Sequence, residues 1–343
     1  MLLVFTFHFA GALLGSAVPA ALPQIGYLGT SIFLVLAGYT AQSHLTHTLN
    51  IGAYWRSRFW RLYPLYAALL AVYVIGGLVL PGEGAVSIVT ASGAMNVVTD
   101  LLMVTDVIHG TPIMDASWTL QDIALYSLIA PGVWLLSRIP PPGKRRCIFL
   151  FTLFLATVCV FSLTGFHRPR MALLLAGPLL YESFSASLSA RTVITGLLVT
   201  VGIMAATLTG TRVWLMPLAV LVVWAVVRPL RTVWLGPGMA GEVLSWLGQR
   251  SYEFYICQGL VLVPTRIVMA AIGVPSWLAT CLLFMICLQL NVGLAHVAHH
   301  FASQLKSAHP LDRLWIKSWP AGKSVLTRKS AQSEPLGQSS RVA

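Results

Sequence analysis

Charge is what this 343-residue chain has least of: Asp, Glu, Lys and Arg make up 9% of it, against 57% hydrophobic residues. A soluble chain of this length needs far more solvated charge, so a soluble or nucleic-acid-binding function is excluded. Apolar runs, each about twenty residues long, recur from Met1 to about Ser303 and mark a polytopic membrane protein. Acids are scarcest, ten against 22 bases, for a net charge of +12. The bases fall between and beyond the apolar runs, where they set topology instead of building a nucleic-acid surface. Cysteine is also sparse. Cys147, Cys159, Cys257, Cys281 and Cys287 stand singly with no C-x-x-C pair, which argues against thiolate metal or redox chemistry and leaves small apolar thiols. Residues 1–19 carry no positively charged leader and no A-x-A-like site before a soluble domain, so they read as a spanning helix, not a removed signal. No fixed-period repeat or inverted repeat is visible.

The apolar runs place spans at about 2–19, 24–45, 61–80, 118–137, 147–166, 171–189, 192–209, 213–228, 253–272 and 277–303. A lipid-facing backbone must satisfy its own hydrogen bonds, so these are helices and the fold is an all-α transmembrane bundle of about ten spans. With both termini cytoplasmic, 18 of the 22 bases lie in inner loops or the tail, leaving Arg168, Arg170, Arg212 and Arg266 outside or within a span. Segment 86–108 carries Asn96, Asp100 and Asp106, and counting it as a span would throw Lys144-Arg145-Arg146 outward. Residues 81–117 are therefore expected as an outer loop or re-entrant piece. The chain divides into a membrane domain, 1–303, and a polar tail, 304–343, rich in Ser, Lys and Pro and expected to be disordered. The outer loops are too short for a soluble domain, so any chemistry is built among helices.

Few polar residues are available for it. His8 lies inside the first run, flanked by Phe7 and Phe9, where an imidazole needs a polar cavity or partner. A hydrogen-bonded packing histidine and a proton-handling one both fit that position. Arg58 and Arg61, three apart, share a face of a helix that enters the membrane from the cytoplasm. Their planar forks suit phosphate groups, although snorkelling anchors have the same pattern, and Arg56 on another face reads as an anchor. Asp122 lies about one turn inside its span, and an intramembrane carboxylate is a candidate to orient a base, bind a sugar hydroxyl or pair with an arginine; a wetted acid at a helix N-terminus is the plainer alternative. Glu182 and Glu253, at the inner ends of their spans, read as solvated or paired with arginine. His296, His299 and His300 have helical metal-ligand spacing but no converging acid or cysteine, so no metal is expected.

The chain resembles the acyltransferase 3 family of integral-membrane O-acyltransferases over most of residues 1–303. Val4-Phe5-Thr6-Phe7-His8 is similar to the family's V-x-x-F-H patch, and Gly29 to Tyr39 to its G-V-D-x-F-F-V-L-S-G-F. Tyr54 to Tyr66 resembles F-x-x-R-R-x-x-R-I-x-P-x-Y, with Arg58 and Arg61 as the R-x-x-R pair. Trp118-Thr119-Leu120 with Tyr126 resembles W-S-L-x-x-E-x-x-F-Y-L, and Gly248 to Gln258 resembles G-x-x-S-Y-x-x-Y-L-x-H. The departures are Ser31 for aspartate, Ala37 for serine, Ile123 for glutamate with Asp122 one place earlier, and Gln258 for histidine. A basic residue that the family carries upstream of the histidine would precede Met1.

The resemblance implies transfer of an acyl group, usually acetyl from acetyl-CoA, to a hydroxyl, commonly on a sugar or cell-envelope glycan. It implies His8 as the base, Asp122 as a substitute for the missing glutamate, and Arg58 and Arg61 at the coenzyme A phosphates. Trp118, Tyr252 and Tyr255 then line the donor or substrate site. No permanently bound cofactor is expected; acyl-CoA, a hydroxylated acceptor and the bilayer are the expected partners, in a bacterial cytoplasmic membrane. Two alternatives stand beside this: a non-catalytic relative that binds or exports a lipid-linked glycan, suggested by the lost polar residues, and a secondary transporter. Pro178, Pro217 and Pro264 interrupt runs only on the C-terminal side, which argues against the matched breaks of a transporter.

Overall fold

The computed structural model describes residues 2–14, 21–79, 91–163 apart from 106, 109, 115 and 116, 171–186, 215–232, 248–272 and 277–308, with isolated residues at 189, 192–193, 196, 200, 242 and 246. Among them are ten helices and no strand: α1 (Leu2–Leu14), α2 (Ala21–Thr48), α3 (Ile51–Val79), α4 (Ala91–Leu101), α5 (Ser117–Ser137), α6 (Lys144–Leu163), α7 (Met171–Ser185), α8 (Leu215–Thr232), α9 (Ser251–Ile272) and α10 (Trp277–Ala308). Ile51–Gly77, Ser117–Ser137 and Ala279–Gln304 are long and apolar enough to cross a membrane, and shorter apolar helices lie at Leu2–Leu13, Met171–Ser185 and Leu215–Val227. On α10, Leu282, Ile286, Leu290 and Val297 are exposed, as lipid-facing side chains of a bundle are. The expected span 192–209 and most of the tail lie outside the described residues. The chain forms two compact units, 1–299 and 300–343; in the second, Ser303 Oγ donates to the His300 carbonyl at 2.7 Å within the last turns of α10.

Two elements differ from the sequence expectation. Helix α3 begins ten residues before the apolar run, because Asn50 caps it: its Oδ1 accepts the Ala53 amide at 2.9 Å. Leu49, with φ 53°, supplies the left-handed residue that ends α2. The three arginines are thus helical from the start. Residues 91–101, expected within a loop or re-entrant piece, form α4. Its eleven residues rise only about 16 Å, short of a membrane core of about 30 Å. The turn after α4 is organised by Asp100, whose carboxylate accepts the Thr105 hydroxyl at 2.5 Å, the Ile113 amide at 2.7 Å and the Gln121 amide at 3.1 Å. Burial pushes this carboxyl up, against the downward pull of those donors. Prolines also divide differently from the sequence reading. Pro64 in α3 and Pro131 in α5 lie inside helices, as do Pro178 in α7 and Pro264 in α9, so the C-terminal asymmetry that argued against a transporter does not hold.

Helix α2 is the hub, packing on α1, α3, α5, α7 and α8. Its tightest contact is with α7. A Cβ on Gly177 would run into the backbone of Gly38 and Tyr39, and one on Gly38 into the Leu174 carbonyl. Lipid offers little hydrophobic force between helices, so glycines that admit backbone contact hold such crossings. Gly177→Ala is expected to cost about 1–3 kcal/mol, read as a lower thermal midpoint in detergent. Gly76→Ala, where a Cβ meets nothing within 4 Å, is the control. Equal midpoints for the two variants would refute the close crossing.

The contacts also fix helix directions. Val4 packs on Gly29 and Phe7 on Gly26, so α1 and α2 are antiparallel. Thr40 meets Arg58 and His44 meets Tyr54, so α2 and α3 are antiparallel. Tyr252 bonds Leu62 and Gly259 abuts Tyr73, so α9 runs with α3. Helices α1, α3 and α9 therefore point the same way.

Candidate functional site

Arg58 and Arg61 share a helix but not an environment. Arg58 is half-buried, donating from Nη2 to the Thr40 hydroxyl of α2 at 3.4 Å. Its Cζ lies 5.3 Å from the centroid of the Tyr54 ring, and its Nε is buried without a hydrogen-bond partner among the described residues. Tyr126 of α5 lies in electrostatic range. No carboxylate pairs with Arg58 among the described residues, so the cation is held beside neutral tyrosines, a hydroxyl and a second cation, Arg61. That is a standing invitation to an anion. Arg61 is exposed and Arg56 half-buried. Sequence spacing put Arg58 and Arg61 on one face; the structure keeps them within electrostatic range of each other but buries them unequally.

The α5 stripe Trp118, Asp122 and Tyr126, at helical spacing, links the rest. Trp118 is half-buried and Asp122 fully buried. Thr119, next to Trp118, accepts the Tyr255 hydroxyl at 2.8 Å, and the Tyr255 ring stacks on Phe33 of α2 at 5.5 Å. Asp122 thus lies on α5 between Thr119, which Tyr255 contacts, and Tyr126, which lies in electrostatic range of Arg58. The buried Tyr252 hydroxyl donates to the Leu62 carbonyl at 2.5 Å, which ties α9 to the helix that carries Arg58.

His8 is half-buried on α1, its ring 5.1 Å from that of Phe7. It follows Val4 by one turn and Phe5 by three residues. Val4 meets Gly29 of α2, and the Phe5 ring lies 5.7 Å from Phe254 of α9. His8 therefore faces the seam where α2 and α9 meet. Along α2, the Phe7 contact at Gly26 and the Arg58 contact at Thr40 are fourteen residues apart, about 21 Å at the helical rise. One small group cannot touch both; an elongated ligand can.

The acyltransferase domain family, acyltransferase 3, matches residues 1–296. The chain belongs to this family. No curated protein and no solved structure matches it. A membrane acyltransferase is what the family assigns.

Several buried polar groups are structural, and sequence reading saw them only in part. Gln42 of α2 donates to Ser137 of α5 at 3.4 Å and to Glu182 of α7 at 3.3 Å, while Arg146 of α6 binds Glu182 at 3.4 Å. Four helices of this acyltransferase are tied at one end by that group. Glu253 pairs with His299 of α10 at 2.8 Å instead of an arginine. His299 is so engaged, and no cluster of three His, Cys, Asp or Glu occurs among the described residues. Asp100 stood in the sequence only as an argument against a span. Its partners are 5, 13 and 21 residues away, beyond any helical period, so no local signal could have found the network.

Proposed function

We infer that this chain is a multi-pass O-acyltransferase of a bacterial cytoplasmic membrane, with both termini cytoplasmic. It moves an acyl group, in the simplest case acetyl from acetyl-CoA, to a hydroxyl of a sugar or cell-envelope glycan. The observation that carries the reading is a half-buried Arg58, with no paired carboxylate among the described residues, set about 21 Å along α2 from the level of His8. An acyl-CoA has that form: anionic phosphates at one end, a thioester at the other and a pantetheine arm between. The guanidinium holds phosphate by charge-assisted hydrogen bonds. At the far end, His8 takes the proton of the acceptor hydroxyl as the alcohol oxygen bonds to the acyl carbon. The carbon–sulfur bond breaks and coenzyme A leaves as thiolate, later protonated. Asp122, Trp118 and Tyr255 lie on or against α5 along the way, as lining for donor or acceptor.

The test is transfer of radiolabelled acetyl from acetyl-CoA to envelope glycans by membranes containing the chain. Transfer by the parent is expected. Arg58→Ala is expected to raise the donor KM by about 10- to 100-fold, the worth of a hydrogen bond to a charged group. Arg61→Ala, exposed, should change it less than about fivefold. The reverse order would move the phosphate site to Arg61. No transfer by the parent, with donors of several chain lengths and several acceptors, would favour the non-catalytic binding or export reading suggested by Ser31, Ala37, Ile123 and Gln258.

A further inference from the structure

Gln258 stands where the family carries a histidine, and the mechanism above leaves it unused. Its side chain is 3% exposed and its Oε1 is buried with no hydrogen-bond partner among the described residues. An orphaned amide oxygen in a bundle is costly, and an arriving donor removes that cost. The residues one turn below Gln258 show where it points. Phe254 meets Phe5 of α1, and Tyr255 meets Phe33 of α2 and Thr119 of α5. Gln258, four and three residues on from these two, lies at the seam where α2 and α9 meet beside α1.

His8 faces the same seam from the other side. Because α1 and α9 run in one direction, the step from Phe5 to His8 and the step from Phe254 to Gln258 climb together, about 4.5 Å and 6 Å at the helical rise. The two side chains are therefore within about one helical turn of each other along the bundle. Gly26 and Gly29 of α2, over which Phe7 and Val4 lie, bring α1 close enough for the seam to form.

We propose that Gln258 is an acceptor-binding residue: its carboxamide oxygen takes a hydrogen bond from a hydroxyl of a polyhydroxylated acceptor seated beside His8. An amide is neutral and accepts without competing for the proton that the base removes. A site built to pair with a hydroxyl also rejects molecules that lack it, because the oxygen is then left unpaired. A simple alcohol gives Gln258 no second hydroxyl to bind; a sugar does. This assignment rests on the acyltransferase reading for the role of His8, but the binding it describes is measurable without turnover.

The experiment is saturation-transfer NMR of methyl α-D-glucoside and methyl α-D-mannoside on the full chain in nanodiscs, with empty nanodiscs as control. The parent, Gln258→Leu and Gln258→Glu are compared. Saturable binding of at least one glycoside by the parent is expected, weakened about tenfold or more in Gln258→Leu and kept within a few-fold in Gln258→Glu, which retains the accepting oxygen. Thermal unfolding of the three proteins separates lost binding from lost fold. If neither glycoside binds the parent, or if folded Gln258→Leu binds as the parent does, the proposal is wrong. Should the glycosides bind as described while the membranes transfer no acyl group, the acyltransferase reading fails and the Gln258 assignment stands as a glycan-binding site.

Discussion

Replacing His8 by alanine is expected to lower acyl transfer by about 10²- to 10⁴-fold, the range for removing a positioned general base, with the donor KM unchanged within about twofold. The split follows from the geometry. The level of His8 on α2 is about 21 Å at the helical rise from the Thr40–Arg58 contact, so the imidazole takes no part in holding the phosphates. His8→Gln, which keeps a polar side chain of similar reach but handles no proton at neutral pH, should lose as much. Initial rates at saturating donor and matched membrane amounts decide the matter. If either variant keeps more than about a tenth of the parent rate, below the loss such a base accounts for, the base lies elsewhere and Asp122 is the next residue to change. A rise in donor KM with unaltered kcat would instead place the imidazole on the donor.

Glu182→Ala is expected to be the most destabilising single change away from the site. Glu182 is 6% exposed, and removing it strands the Arg146 guanidinium, whose side chain is 16% exposed, and takes from the Gln42 amide one of its two acceptors. Breaking a buried ion pair from one side costs about 3–5 kcal/mol, enough to lower the thermal midpoint in detergent sharply. Arg146→Leu combined with Glu182→Met should recover most of the loss, since both charges are then gone and the volume is kept. If the single variant melts with the parent, or the double variant is no better than the single, the four-helix tie contributes nothing.

Fold class was legible because the bilayer leaves little choice. Apolar runs of spanning length have to be helices, and eight of the ten expected spans meet a described helix whose ends lie within five residues of theirs. The two elements that differ were hidden for separate reasons. The start of α3 is polar and aromatic, so a hydropathy reading stops at Arg61, whereas the cap at Asn50 is a hydrogen-bonding feature. Helix α4 carries Asn96 and Asp100, which read as loop until Thr105, Ile113 and Gln121 fold back to satisfy the carboxylate. The prolines misled as well: Pro64 and Pro131 sit inside helices, and apolarity alone does not register a proline.

The candidate site divides in the same way. Motif order along the chain singled out His8, Arg58, Arg61, Trp118, Asp122, Tyr252 and Tyr255, all of which lie within the family match over residues 1–296. Spacing by itself made Arg58 and Arg61 equivalent. Only the packing of α2 and α5 against α3 gave Arg58 a hydroxyl, an aromatic face and no paired carboxylate among the described residues, and left Arg61 in the open. The sequence likewise showed Gln258 as a missing histidine, a loss, and the tertiary structure shows a buried amide oxygen with no hydrogen-bond partner among the described residues. The sequence by itself determined that the chain lives in a membrane, that it is helical and which family it belongs to, because hydropathy and motif order are properties of the chain read in one dimension. Which cation is buried, which acid is paired and which polar atoms share a seam were decided by helix direction and close packing at Gly26, Gly29, Gly38 and Gly177, because each depends on contacts between residues that no local period connects.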